Sequence, residues 1–241
     1  MTLHSPSADV VDKLVYANRI LYDQGVVDGL GHASVRHESD PAVFLLSCNR
    51  APGLVRRRDI VCYDLDGNAV SETTERPYLE RFIHAEIYRS RPDVMAVVHS
   101  HSHNVIPFAS TQTALRPVFH MAGFLEEGAA HFEIRDVAGN TDMLIRSTYL
   151  GAALAASLGR HSCVLMRGHG STVVGSSIEQ AVYRAIYTDT NARLQLAAQG
   201  LGEITFLNAE EARLCAEAND GQIPRSWNLW IKRLGAVDLD S

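Results

Sequence analysis

The sequence predicts an α/β protein in which a layered sheet is covered by helices. Two observations support this class: segments with apolar residues at helical spacing alternate with compact apolar runs typical of buried strands, and histidine-bearing loops directly follow two of those runs. The chain has 241 residues, 46% hydrophobic and 21% charged, which is typical of globular proteins. No linker rich in Pro, Gly or Ser interrupts it, so we predict one domain over residues 1–241.

Three helices are predicted from local patterns. Apolar residues at helical spacing predict a first helix from Ser7 to Gln24 that ends at Gly25. A second helix is predicted after Pro77, from Tyr78 to Ser90. A third, with an apolar stripe, is predicted from Ile178 to Gln199.

Compact apolar runs predict the strands. These runs are His32 to His37, Val43 to Ser47, Arg58 to Asp64, Met95 to Val98 and Cys163 to Met166. The third run enters a tight hairpin at Asp66-Gly67-Asn68. The last two runs lead directly into the histidine-bearing loops, residues 99–103 and 167–170.

The charge balance and the cysteines exclude several classes of protein. With 22 Lys and Arg against 28 Asp and Glu, the net charge of −6 lacks the broad basic footprint of a nucleic-acid or anionic-membrane binder. The four cysteines form no CxxC pair, which argues against a structural zinc site and a disulfide framework. No apolar run reaches the roughly 18 residues of a membrane span. We therefore expect a soluble cytoplasmic protein with reduced thiols.

Chemistry concentrates at the two histidine-bearing strand ends. His99 and His101 are two residues apart, so they point to the same side if the strand continues and can share one metal ion. Together with His169 they suit a zinc, manganese or iron site that keeps an open coordination position. The alternative is a polar turn with incidental histidines. A second strand that ends in histidine, and a carboxylate on the preceding helix, favour the metal.

Several motifs together resemble the class II aldolase/adducin family over roughly Val10 to Gln199. They are Gly31-His32-Ala33-Ser34-Val35-Arg36, Pro77-Tyr78-Leu79-Glu80, Ser90-Arg91-Pro92-Asp93, Ala96-Val97-Val98-His99-Ser100-His101 and Arg167-Gly168-His169-Gly170. The resemblance implies a three-layer α/β/α sandwich with a mostly antiparallel central sheet, and a homotetramer with active sites between subunits. It also implies a divalent metal held by His99, His101 and His169, with Glu80 as the acid/base.

The departures from the family pattern concern the substrate. Where sugar-phosphate aldolases of this family have two serines before the catalytic Glu, this chain has Tyr78 and Leu79. The family's Pro-Ser-Gly turn is replaced by Ser47-Cys48-Asn49-Arg50, and a family Asn by His32. A phosphorylated sugar should therefore bind badly. The guanidinium of Arg50 suits a carboxylate and Tyr78 suits a flat ring, so we expect a carboxylated aromatic substrate.

This pattern resembles the aromatic decarboxylase branch of the family. It implies an enzyme that removes a carboxylate ortho to a ring hydroxyl of a pyridine or benzene dicarboxylate. The first substrate expected is 3-hydroxy-2-methylpyridine-4,5-dicarboxylate, an intermediate of vitamin B6 degradation. Mn²⁺ is the first metal expected, with Zn²⁺, Fe²⁺ and Co²⁺ as alternatives. Substrate contacts are expected from Arg50, Arg36, His32, Tyr78 and Ser47.

Alternatives remain at this point. Glu80 is the expected proton donor but could be a fourth metal ligand. One alternative is an aldolase for a non-phosphorylated hydroxy-keto acid, which would use the same metal and Glu80. A non-haem iron oxygenase would use the same three metal ligands. An adducin-like binding protein would keep only the fold, without catalysis. Trp227 and Trp230 are expected to pack against a neighbouring subunit. Surface positions are expected for four histidines, His4, His37, His131 and His161.

Overall fold

A computed structural model describes residues 5–70, 73–126, 128–236 and 238–240, so His4 lies outside the described residues. Within them the strands are β1 His32–Arg36, β2 Val43–Ser47, β3 Ile60–Asp64, β4 Ala96–Ser100, β5 Ala130–Phe132, β6 Cys163–Met166 and β7 Gly170–Gly175. They form one sheet in the order β3-β2-β1-β4-β7-β6-β5. Every neighbouring pair is antiparallel except β5 and β6, which are parallel. The predicted α/β class and mostly antiparallel sheet are confirmed.

The helices are α1 Ala8–Asp23, α2 Arg81–Ser90, α3 Ile106–Ala109, α4 Arg135–Ala138, α5 Thr148–Leu158, α6 Ile178–Gln199, α7 Ala209–Asp220 and α8 Ile223–Leu234. α1 begins where the side chain of Ser7 accepts a hydrogen bond from the backbone N–H of Val10, and α6 begins in the same way at Ser177. α2 starts later than predicted, at Arg81, because Tyr78 and Glu80 lie in the turn that leads into the site.

Alternation of side chains along the strands divides the apolar residues between two cores. On one face of the sheet Val35, Leu45 and Val98 belong to a cluster with residues of α1, α6 and α8. On the other face Phe44 and Val97 belong to a cluster with residues of α2 and α5. The result is the expected three-layer sandwich. His32 is two residues from Ser34 on β1, and His99 is two residues from Val97 on β4. Since side chains two apart on a strand point to the same face, both histidines lie on the face of the sheet that α2 covers.

The β6–β7 hairpin places the second histidine loop. Met166 pairs with Gly170, so the three residues between them form the turn. A Cβ at Gly170 would lie 2.0 Å from the backbone oxygen of Ser100, so only glycine permits this approach of β7 to the end of β4. β7 was not predicted, because its run of small and β-branched residues follows the histidine loop without a separating turn signal.

Two surface expectations are wrong. Trp227 and Trp230 are each only 6% exposed within one chain, since the apolar side of α8 packs in the cluster formed with α1 and α6. They are therefore core residues rather than a face for a neighbouring subunit. His37 is also buried. His131 and His161 are exposed, as predicted.

Among the described residues, no helix has both the length and the apolar character needed to cross a membrane.

Candidate metal centre

The three histidines predicted to bind the metal and the predicted acid/base Glu80 come together at one edge of the sheet. Glu80 immediately precedes α2, His99 lies on β4, His101 follows β4, and His169 lies in the β6–β7 turn. Because β4 and β7 are antiparallel, the end of β4 and the start of β7 share that edge. One ligand atom from each of the four residues lies within 4.8 Å of all the others.

The separations fit one shared cation. The Nε2 atom of His101 is 3.1 Å from Nε2 of His99 and 3.0 Å from Nε2 of His169. The Oε2 atom of Glu80 is 3.7 Å from His99 Nε2 and 3.5 Å from His169 Nε2. Ligand atoms that each lie about 2.0–2.2 Å from a common metal ion are separated by such distances.

Hydrogen bonds on the far side of the rings leave lone pairs at the centre. His169 Nδ1 lies 3.1 Å from the carbonyl oxygen of Met143, which can only accept, so Nδ1 carries the proton. The Thr172 hydroxyl donates to the sulfur of Met166 and accepts from His99 Nδ1 at 3.3 Å. With Nδ1 as the donor in each ring, the Nε2 atoms are the positions left for a metal ion, and both lie beside the Glu80 carboxylate. A divalent cation satisfies this donor set, which suits Zn²⁺, Mn²⁺, Fe²⁺ or Co²⁺.

Burial favours the neutral form of two of the histidine ligands, His99 and His101. Burial, reinforced by the neighbouring His169, holds the pKa of His99 well below its ordinary value. Burial also lowers the pKa of His101. Neutral imidazole is the form that binds a metal ion, so these shifts favour metal binding at neutral pH. The other oxygen of Glu80, Oε1, accepts a 2.9 Å hydrogen bond from the backbone N–H of Ile145, which orients the carboxylate.

A cavity of about 280 Å³ opens directly beside these ligands. It is lined by Leu30, Gly31, His32, Asn49, Tyr78, Leu79, Glu80, His101 and Leu144. His32 and Tyr78 therefore lie where the sequence placed them. Leu30, Asn49 and Leu144 were missed; of these, only Asn49 had a signal, since it belongs to the turn of residues 47–50 that replaces the family's phosphate-binding turn.

Tyr78 is held rigidly in this cavity. Its hydroxyl donates to the backbone oxygen of Arg50, and its ring centroid lies 4.6 Å from that of His32. Ser47 is fully buried, does not line the cavity, and its hydroxyl has no hydrogen-bond partner among the described residues, so the expected substrate contact from Ser47 is wrong. Arg50 is 32% exposed and lies outside the cavity wall, with its Nε 3.0 Å from Asp59 Oδ2.

The expected substrate contact from Arg36 is wrong. Arg36 is buried at the opposite end of β1 from His32, about 13 Å along the strand. Its guanidinium donates to four backbone carbonyls, those of Val94, Pro41, Tyr88 and Arg91. The side chain ties the end of α2 to the sheet, and four of its five N–H groups are used in doing so.

A larger cavity of about 690 Å³ is also lined by His101. Three carboxylates line it, from Asp23, Asp28 and Asp189. Asp189 accepts hydrogen bonds from Ser102 and Asn104, which fixes the loop that follows His101. Because of its acidic lining, this cavity does not suit an anionic aromatic substrate. His103, in the same loop, is exposed.

The fold and the site together define a class of protein: an α/β/α sandwich with a three-histidine, one-carboxylate centre for a divalent metal at the edge of an antiparallel sheet. The chain belongs to the family described as Class II Aldolase and Adducin N-terminal domain, which matches residues 12–196.

Relatives with named activities indicate which reactions occur in this family. The decarboxylase tropJ of Talaromyces stipitatus is 38% identical over 96% of this chain and 96% of its own length. The 3,4-dihydroxyphthalate decarboxylase of Arthrobacter keyseri is 34% identical over 79% of each chain. A crystal structure of an aldolase II superfamily protein from Pseudomonas syringae shares the fold, with a TM-score of 0.80 and 23% identity over 99% of this chain and 97% of that one. The prediction of a carbon–carbon lyase is confirmed.

Proposed function

We propose that this protein is a metal-dependent decarboxylase that removes a carboxylate ortho to a ring hydroxyl of an aromatic dicarboxylate. The observation that carries the proposal is the position of the cavity, which joins the three-histidine centre and Glu80 to an aromatic and aliphatic wall. That wall has Tyr78 and Leu79 in place of phosphate-binding hydroxyls. The names of the relatives, a decarboxylase and a dihydroxyphthalate decarboxylase, support the same reaction class.

The ring of the substrate is the finer part of the proposal. From the sequence, 3-hydroxy-2-methylpyridine-4,5-dicarboxylate is the first candidate, and the relative named for 3,4-dihydroxyphthalate adds a benzene ring as the second. Tyr78 and Leu79 would lie against either ring. Residues of this apolar kind do not separate a pyridine from a benzene, so both belong in the assay.

A bound divalent cation, proposed to be Mn²⁺, would supply the positive charge that stabilises electron density on the ring oxygen as CO₂ departs. His99, His101 and His169 would hold it. Glu80 would deliver the proton that replaces the lost carboxylate on the ring carbon; its Oε1 is fixed by Ile145 while Oε2 faces the histidines. Leu30 and Leu144 would exclude water from the ring. Arg50 would approach the second carboxylate from outside the wall.

We also propose a homotetramer with its sites between subunits. Leu30 and Leu79, both at the cavity, are 60% and 54% exposed in the isolated chain. Apolar side chains that remain so exposed beside a reaction centre suit coverage by a second copy or by substrate. Light scattering on purified protein measures the mass directly, and a monomer at assay concentration contradicts this part of the proposal.

The experiment that tests the function is an anaerobic panel of hydroxylated pyridine and benzene dicarboxylates with added Mn²⁺, scored for CO₂ release. Release without O₂ supports the decarboxylase and excludes an oxygenase. No release, with pyruvate or an aldehyde formed from hydroxy-keto acids, would instead establish the aldolase alternative.

A further inference from the structure

A chain of buried hydrogen bonds runs from the cavity into the interior beside the metal centre. His32 Nδ1 lies 2.6 Å from His84 Nε2, His84 Nδ1 lies 2.6 Å from Ser34 Oγ, and Ser34 Oγ lies 2.7 Å from the Tyr88 hydroxyl. All four side chains are buried. His32 and Ser34 are two apart on β1, and His84 and Tyr88 are four apart on α2, so each pair shares one face of its element.

The direction of hydrogen-bond donation along these four side chains is set at the inner end, by Tyr88. The only hydrogen bond of the Tyr88 hydroxyl found in the described part of the chain is its 2.7 Å contact with Ser34 Oγ. The proton of this buried hydroxyl must therefore go to Ser34 Oγ. The reverse order would leave a buried O–H without an acceptor, which proteins avoid.

Hydrogen-bond donation continues in the same direction from Ser34 through His84 to His32. Because Ser34 accepts from Tyr88, it donates its own proton to His84 Nδ1. Burial lowers the pKa of His84 to about 3, so this ring is neutral and carries its single proton on Nε2. His84 Nε2 then donates to His32 Nδ1. A ring that accepts at Nδ1 is not an imidazolium, so the one proton of His32 is on Nε2.

The Nε2 atom of His32 is the outer end of the chain. His32 lines the cavity, and this atom has no hydrogen-bond partner in the described part of the chain. We propose that Ser34, His84 and Tyr88 are positioning residues that hold His32 as a neutral ring whose Nε2–H donates into the cavity, to an oxygen of the bound aromatic acid. The identity of that ligand rests on the proposed function; the state of His32 does not.

A donor held in this way would act without rearrangement. Hydrogen-bond donors fixed before the reaction stabilise developing negative charge better than mobile ones. The opposite tautomer would direct a lone pair at the carboxylate or ring oxygen and repel it. The family's Asn at this position can donate by its own amide, whereas a histidine needs a partner that chooses its tautomer.

Nitrogen-15 NMR of histidine-labelled, Zn²⁺-loaded protein tests the state of His32 directly, since Zn²⁺ is diamagnetic. We expect His32 and His84 to be neutral with the proton on Nε2. Addition of phthalate, as a non-reacting probe, should shift the His32 Nε2–H signal. A proton on His32 Nδ1, or a signal that phthalate leaves unchanged, overturns the proposal.

A matched pair of variants tests the positioning role. In His84→Gln the amide oxygen accepts from Ser34 and the amide nitrogen donates to His32, so the order of donors is kept. In His84→Leu both bonds are lost. We expect kcat within about threefold of the wild type for His84→Gln and a fall of about tenfold or more for His84→Leu, with KM less affected and metal content equal.

The outcomes separate this proposal from the proposed function. Equal kcat values in the two folded variants contradict the positioning role even if decarboxylation is confirmed. If the wild type releases no CO₂ from any substrate, the proposed function fails, while the tautomer and the phthalate titration still decide the state of His32. If His84→Leu does not fold, the wild-type spectrum decides alone.

Discussion

His101 and His169 are 68 positions apart in the sequence, yet their Nε2 atoms lie 3.0 Å apart. The contact exists because β6 and β7 form a hairpin whose turn carries His169, and β7 pairs with the strand that ends before His101. Two imidazole Nε2 atoms at this separation can both bind one cation that lies between them. This relationship is the basis of the first prediction.

Removal of one ligand should abolish metal binding and activity together. We expect His169→Ala to bind metal at least about tenfold more weakly, by analogy with the loss seen on disturbing metal sites, and to lose activity correspondingly. Metal content by mass spectrometry and CO₂ release measure the two effects. His161→Ala, which changes an exposed histidine, should match the wild type. Full metal content in His169→Ala would contradict the assigned site.

The substitution Glu80→Gln tests whether Glu80 is the proton donor or a fourth metal ligand. The amide oxygen can still accept from Ile145, so the fold should be retained. As a general acid, Glu80 contributes about 10²–10⁴-fold, and kcat should fall by that order with metal content unchanged. Loss of metal identifies a ligand instead. Full turnover with full metal content means that the acid role is wrong.

Tyr88→Phe and Tyr63→Phe form a matched pair for stability. Both phenols are buried and both rings pack on Phe44, with centroids 5.5 and 5.6 Å away. The Tyr88 hydroxyl is hydrogen-bonded to Ser34. Loss of a buried hydrogen bond costs about 1 kcal/mol, so urea unfolding should show that loss for Tyr88→Phe and a smaller one for Tyr63→Phe. A larger loss for Tyr63→Phe would contradict the assigned network.

The stability of the protein should fall in mild acid because of His84. Burial lowers the pKa of His84 from 6.5 to about 3 in the folded state, so below pH 6.5 the unfolded chain binds a proton that the folded chain does not. Stability is full above pH 6.5 and falls progressively towards pH 3. At pH 5 the loss from this residue is about 2 kcal/mol. Denaturant unfolding at pH 7 and pH 5 measures it, and His84→Gln should show a smaller difference between the two pH values. An equal difference in both proteins would be evidence against a buried neutral His84.

Arg36→Lys tests whether this residue serves the fold or the substrate. A lysine cannot reproduce four hydrogen bonds to backbone carbonyls, so we expect a loss of about 2–3 kcal/mol in the free energy of unfolding. KM at a temperature where the variant is folded should stay close to the wild type. A raised KM with unchanged stability would restore the substrate role.

Local patterns predicted five of the seven described strands but only three of the eight described α-helices. The bounds of β2, β6 and α6 match the prediction, because apolar runs and serine caps are local signals. The start of α2 did not follow from propensity, since Tyr78 and Glu80 are held by contacts with Arg50 and Ile145, which are distant in sequence. For the same reason the two tryptophans were placed on the surface: amphipathic spacing identifies a buried side but not the surface that covers it.

The sequence by itself predicted the family, the fold class, and the three histidines and Glu80 of the candidate metal centre, because HxH after an apolar strand, GHG after another and the Pro-Tyr-Leu-Glu motif are short patterns with distinct chemistry. Only the tertiary structure decided which remaining side chains reach the cavity. Arg36 and His32 are four residues apart on the same face of β1. Arg36 donates hydrogen bonds to backbone carbonyls at the far end of the strand, whereas His32 lines the cavity. The two side chains have different surroundings because of the length of the strand and the packing of α2 across the sheet, and the local sequence pattern predicts neither.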